Sequence, residues 1–108
     1  MTTYNKLVRD LIPEIIHQNG KNPLVKILSN EEYLKEVERK MHEELAEYVE
    51  AKNNDEKLEE LADLLELLHT AANIQGISLE KLEELRANKS EKHGGFAKRI
   101  YLIEVLDN

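Results

Sequence analysis

Five acidic side chains in the middle of the chain stand at spacings that could hold a metal ion. Glu43, Glu44 and Glu47 lie in HEELAEYVEA, and Glu60 and Asp63 in LEELADLLELL. Residues three or four apart share one face of a helix, so Glu44 pairs with Glu47 and Glu60 with Asp63. Both pairs intrude on apolar stripes: Glu44 falls between Met41 and Tyr48, and Glu60 is in line with Leu64 and Leu67. The NND at 53–55 reads as a tight turn, which makes the flanking helices antiparallel neighbours. Glu47 precedes Asn54 by seven residues and Glu60 follows it by six, so the two pairs stand at similar heights on facing helices. Four carboxylates at one level repel unless cations hold them together. Their hard oxygens suit Mg²⁺ or Mn²⁺. Glu43 and Glu59 point further round, where they either support the site or face solvent. A solvated, Lys-laced helix surface would produce the same ExxE and ExxD patterns.

A rival metal reading comes from ELLH, residues 66–69, where Glu66 and His69 have the Glu-x-x-His spacing of di-iron bundles. Such sites need the motif twice, and the chain carries it once. His69 and His42 read better as helix-surface or interface residues. The bases crowd towards the ends: Lys6 and Arg9 near the start, Lys89 and Lys92 before the glycines, Lys98 and Arg99 after them. KSEKHGGFAKR could bring backbone N–H groups and cations to a phosphate, or be an ordinary helix C-terminus with a Gly stop. There is no Walker-type loop, dinucleotide fingerprint or Ser-His-Asp signature.

These residues need elements to position them. NKLVRDLIPEIIHQNG reads as a short helix with Asp10 as N-cap, Pro13 in its first turn and Gly20 as its stop. Ser29 and Glu32 form a capping box that opens a long helix over about 30–52, with Leu34, Val37, Met41, Leu45 and Tyr48 as its seam. A second long helix is expected over about 56–74, with Leu58, Leu61, Leu64, Leu65, Leu68 and Ala72 as its face and Gly76 as its stop. Ser78 caps a third segment, LEKLEELRANKSEK. Residues 96–105 have the β-branched and aromatic content of a strand that could pair with 24–28. Residues 23–29 read as a strand or an extended linker, so the expected small appendage has two strands at most. The fold class is all-α, an antiparallel helical core within a single domain over 1–108.

At 108 residues, with no Trp and one Phe, the core must be aliphatic. A chain this small buries a modest share of its surface, so oligomerisation is expected to complete the core. The net charge of -7 disfavours nucleic-acid binding. The absence of Cys removes disulfides, thiolate zinc sites and a Cys nucleophile. The opening MTTYNKLVRD has no apolar signal region, and no run approaches the roughly 18 apolar residues of a membrane span. A soluble, cytoplasmic protein is expected.

EELAEYVEA followed by EELAD resembles the all-alpha nucleoside triphosphate pyrophosphohydrolases, the MazG-like group, whose metal motif is EExxE followed by ExxD. Glu43, Glu44 and Glu47, then Glu60 and Asp63, carry the match. The opening YNKLVRDLIPEII and the closing KHGGFAKRIYL resemble its phosphoribosyl-ATP pyrophosphohydrolase-like branch, so the likeness covers nearly the whole chain. The resemblance implies a helical core assembled as a homodimer or homotetramer, with Mg²⁺ (or Mn²⁺) held by Glu44, Glu47, Glu60 and Asp63. It implies cleavage of a nucleoside triphosphate, or a related nucleotide, between the alpha and beta phosphates to monophosphate and pyrophosphate. Lys6, Arg9, Lys89, Lys92 and Arg99 become candidates for the triphosphate. A metal-activated water is the expected nucleophile, with Glu43 or Glu59 to orient it. The alternatives are a non-catalytic helical interaction or nucleotide-binding module, and a carboxylate-bridged iron bundle. Nothing in the sequence selects the base or the pathway.

Overall fold

The computed structural model describes residues 2–107, and they form four helices: α1 (Ile12–Gln18), α2 (Asn30–Glu50), α3 (Asn54–Ile74) and α4 (Leu79–His93). The local signals explain most of their ends. Ser29 Oγ accepts from the Glu32 N–H while the Glu32 carboxylate accepts from the Ser29 N–H, the reciprocal capping box of α2. Asn53 caps α3 by accepting from the Glu56 N–H at 2.9 Å, and Ser78 caps α4 through the Lys81 N–H. Helix α3 ends in a Schellman motif. Ile77 N–H donates to Ala72 O and Gly76 N–H to Asn73 O, with Gly76 at φ +75°, a conformation that glycine adopts without a Cβ penalty.

Helix α1 departs from expectation at its start. Leu11, not Asp10, is the N-cap, and no side chain caps the helix. Pro13 in the first turn brings no N–H, so one fewer donor needs a cap.

The hairpin of α2 and α3 is the centre of the molecule, and its turn sets the register of the acids. Ala51 leaves the helix at ψ 140°. Lys57 Nζ then donates to Tyr48 O at 2.9 Å and sits 4.5 Å from the centre of the Tyr48 ring, a cation–π contact across the turn. With Tyr48 beside Lys57, antiparallel pairing brings Glu44 level with Glu60. Among the described residues, Val37 is fully buried and Ala72 is the other buried apolar residue.

The expected face of α3 is largely corrected. Glu60, Asp63, Leu64, Leu67 and Ala71 are partly covered, whereas Leu58, Leu61, Leu65 and Leu68 remain exposed. Helix α3 has leucines on both sides, so periodicity alone did not say which stripe meets α2. Leu45 of the α2 seam is also exposed.

The two-stranded appendage does not form: residues 24–28 and 96–105 hold no strand. A tight turn at Ala97 and Lys98 closes with Arg99 N–H donating to Phe96 O, and Arg99 takes φ +59°. The remaining segments find no ladder partner among the described residues, and two isolated strands are marginal without a partner or an apolar face to pack on. Leu24 is 99% exposed and Phe96 98%.

The accessible surface is 10248 Å², against about 6,200 Å² for a compact monomer of this mass. The radius of gyration is 18.7 Å, against about 13 Å for a compact chain of this length. No helix is long and apolar enough to cross a membrane among the described residues.

Asn53→Ala should cost about 1 kcal/mol of stability, and Asn53→Gly only a few tenths. Urea unfolding checks this, and equal losses for the two variants would show that the cap does not set the start of α3.

Candidate metal centre

Helix α2 carries Glu44 on its inward face one turn beyond Met41, and the hairpin register places Glu60 and Asp63 of α3 opposite it. Glu44 retains 7% of its exposure, unusual for a carboxylate. Glu44, Glu60 and Asp63 each offer an oxygen, and these oxygens lie within 4.8 Å of one another; Glu43, Glu44 and Glu47 form a second such group. Glu44 belongs to both, so it joins the two helices' acids into one cluster.

Two buried oxygens in this cluster, Glu44 Oε2 and Glu60 Oε2, accept no hydrogen bond from any protein donor. Leaving a buried neutral polar group unsatisfied costs about 1–3 kcal/mol, and a charged one more. Burial pushes the Glu44 carboxyl above the ordinary carboxylate range, and the adjacent Glu60 adds to the rise. Glu47 is also pushed up, chiefly by its contact with Glu44 and then by desolvation. A bound cation reverses that logic, since it favours the ionised carboxylates. The donor set is all oxygen and anionic, which fits Mg²⁺ or Mn²⁺ and offers nothing to a thiophilic metal.

The bases divide sharply. Arg9 donates from Nη2 to Asp63 Oδ1 at 2.6 Å, and this contact is the main cause holding its guanidinium above its usual pKa. Lys6, Lys89, Lys92 and Arg99 are exposed and make no ion pair with a carboxylate among the described residues. Glu59 lines an open groove with Asp55, Leu58, Ala62 and Asp63, so it flanks the cluster from α3 while Glu43 flanks it from α2. Glu66 and His69 belong to neither acid group.

Sequence reasoning missed Lys40. Its Nζ lies 3.7 Å from Glu43 Oε1 and 3.8 Å from Glu44 Oε1. The signal was present, because Lys40 precedes Glu44 by one helical turn on the same face.

Comparison with known proteins bears on the same residues. The family model described as phosphoribosyl-ATP pyrophosphohydrolase matches residues 8–89. That stretch includes all the clustered acids, Arg9 and Lys89, and leaves out Lys6, Lys92 and Arg99. Over 54 residues the chain is 43% identical to an uncharacterized protein of Mycolicibacterium smegmatis, a match covering 50% of this chain and 55% of that protein. The chain thus matches about half the length of that curated relative. No solved structure matches.

The raised Glu44 carboxyl gives a pH signature. A carboxyl whose folded pKa lies above its unfolded one destabilises the fold progressively as pH rises from the unfolded value through the folded one. In a chelator, Glu44→Gln should therefore gain in Tm relative to the unsubstituted protein as pH rises from about 4 to about 8. A flat difference across that range would show that Glu44 carries no burial strain.

Proposed function

Since the chain belongs to the phosphoribosyl-ATP pyrophosphohydrolase family, we propose that it hydrolyses a nucleoside triphosphate, or a related nucleotide, between the alpha and beta phosphates. The products are a nucleoside monophosphate and pyrophosphate. One observation carries this reading: Glu44, Glu60 and Asp63 converge within 4.8 Å, with two buried carboxylate oxygens left without protein donors.

Glu44, Glu47, Glu60 and Asp63 would hold Mg²⁺, or Mn²⁺ in its place. When bound, such an ion supplies charge neutralisation for crowded phosphate oxygens and acidifies water. The chain's own residues do the rest. Glu43 or Glu59, flanking the cluster, orients the attacking water and takes its proton. The water oxygen bonds to the alpha phosphorus as the bond from that phosphorus to the oxygen bridging towards the beta phosphate breaks. Pyrophosphate leaves with that oxygen. Arg9 is the base nearest the carboxylates and the best placed to meet a phosphate. Lys6, Lys89, Lys92 and Arg99 belong to the same proposal only if assembly or substrate brings them closer.

The proposal includes a single working domain over 1–108, a homodimer or homotetramer, and a cytoplasmic setting. Support for assembly comes from the exposed Leu58, Leu61, Leu65 and Leu68 on α3 and from the surface excess. Residues 24–28 and 96–105, unpaired in one chain, would find ladder partners in such an assembly.

The test is a panel of canonical and modified nucleoside triphosphates, and phosphoribosyl-ATP, incubated with and without Mg²⁺, with the products resolved. Monophosphate plus pyrophosphate appearing only with metal is the expected result. Diphosphate plus free phosphate would contradict the bond assignment, and no turnover on any of them would favour a binding module. Glu60→Gln should lose at least the roughly 10–100-fold that disturbing even an outer partner of a metal site costs, with helicity by circular dichroism unchanged. Near-normal Mg²⁺-dependent turnover in that variant would remove Glu60 from the site.

A further inference from the structure

Arg9 meets the acid cluster on its α3 side. Its Nη2 takes up Asp63 Oδ1 at 2.6 Å, and Asp63 is one of the three residues whose oxygens lie within 4.8 Å of one another. Glu44 and Glu66 are also near enough to act on the guanidinium charge. The contact bridges 54 positions of sequence. Among the described residues, α1 makes no close contact with another helix, and no other side-chain hydrogen bond spans more than 9 positions. The Arg9–Asp63 pair therefore ties the segment before α1 directly to the acid cluster.

We propose that Arg9 is a built-in stand-in cation: its guanidinium and a divalent ion compete for Asp63, so metal binding releases Arg9 from the cluster. The inference rests on the reading of Glu44, Glu60 and Asp63 as a metal site and adds to it a residue that opposes loading. The physical reason is charge. The buried Glu44 and its neighbours need a positive partner, and Lys40, at 3.7 Å and 3.8 Å from Glu43 and Glu44, serves only the α2 side. On the α3 side that partner is Arg9, which stays protonated at any ordinary pH. Its hold is modest because the pair is partly exposed, with 59% of the Arg9 and 38% of the Asp63 side chain accessible. Pairs of this kind shift an equilibrium by about two- to five-fold, strong enough to bias the site and weak enough to yield to a divalent ion. A guanidinium released beside the site is then free for a phosphate, and loading the metal prepares the base that meets the substrate.

The experiment is Mn²⁺ titration by calorimetry, paired with thermal unfolding at zero and saturating Mn²⁺. The proteins are the full unsubstituted chain, Arg9→Gln, Arg9→Lys and Lys21→Gln; the last removes one charge from the same end of the chain without touching an acid. Arg9→Gln should bind Mn²⁺ about two- to five-fold more tightly, and Lys21→Gln should be unchanged. Arg9→Lys should fall between, since an ammonium competes without the planar fork. Arg9→Gln should also lower Tm without Mn²⁺, and that deficit should shrink at saturation. A merely structural tether would lower Tm equally at both concentrations and leave the affinity unchanged, which would overturn the proposal. Weaker binding by Arg9→Gln would overturn it too, by making Arg9 a supporter of the loaded site. If the unsubstituted chain binds no Mn²⁺, the metal-site reading itself fails and the competition falls with it.

Discussion

Glu44 is a carboxylate buried in the seam between two helices, facing Glu60, with an oxygen that no protein donor satisfies. A group in that position destabilises the hairpin unless something positive reaches it, and the surrounding arrangement answers to that constraint. Lys40 approaches from one turn earlier on α2, and Arg9 comes from the far end of the sequence to Asp63. The capped start of α3 and the Tyr48–Lys57 contact fix the register that keeps Glu60 and Asp63 opposite Glu44. An apolar residue at Glu44 would relieve the strain, so the proposed metal site gives this carboxylate a reason that folding alone does not.

Much of this was legible in the sequence because it depends on local rules. Capping by Ser29, Asn53 and Ser78, and the stops at Gly20 and Gly76, follow from hydrogen bonds within a few residues. The acid cluster was legible for a related reason: helical spacing and a short turn together dictate which carboxylates face one another. What escaped depends on choices between near-equal partners. Helix α3 carries Leu on both sides, and which stripe meets α2 is a tertiary decision that periodicity does not encode. The strand-like composition of 96–105 met a turn at Phe96–Arg99 and no ladder partner. The Arg9–Asp63 pair was invisible because no local rule links positions so far apart, although Arg9 had been picked out as a candidate phosphate contact.

The exposed surface tells the same story at a larger scale. Among the described residues Val37 and Ala72 are the buried apolar ones, and two residues do not make a core that offsets the chain entropy of a 108-residue fold. The leucines left outside on α3 supply what a second copy would cover. They lie on the same helix as Glu60 and Asp63, so burying them would also fix the side of α3 that presents the acids. In this account folding, assembly and metal loading act on one hairpin, and the five acids grouped there all lie within the stretch that matches the family.

The most direct measurement is anomalous diffraction from crystals grown with Mn²⁺, collected near the manganese edge. The account predicts a peak bound by oxygens of Glu44, Glu60 and Asp63, with Arg9 withdrawn from Asp63. No peak among these residues at saturating Mn²⁺, with the Arg9–Asp63 pair still closed, would contradict it.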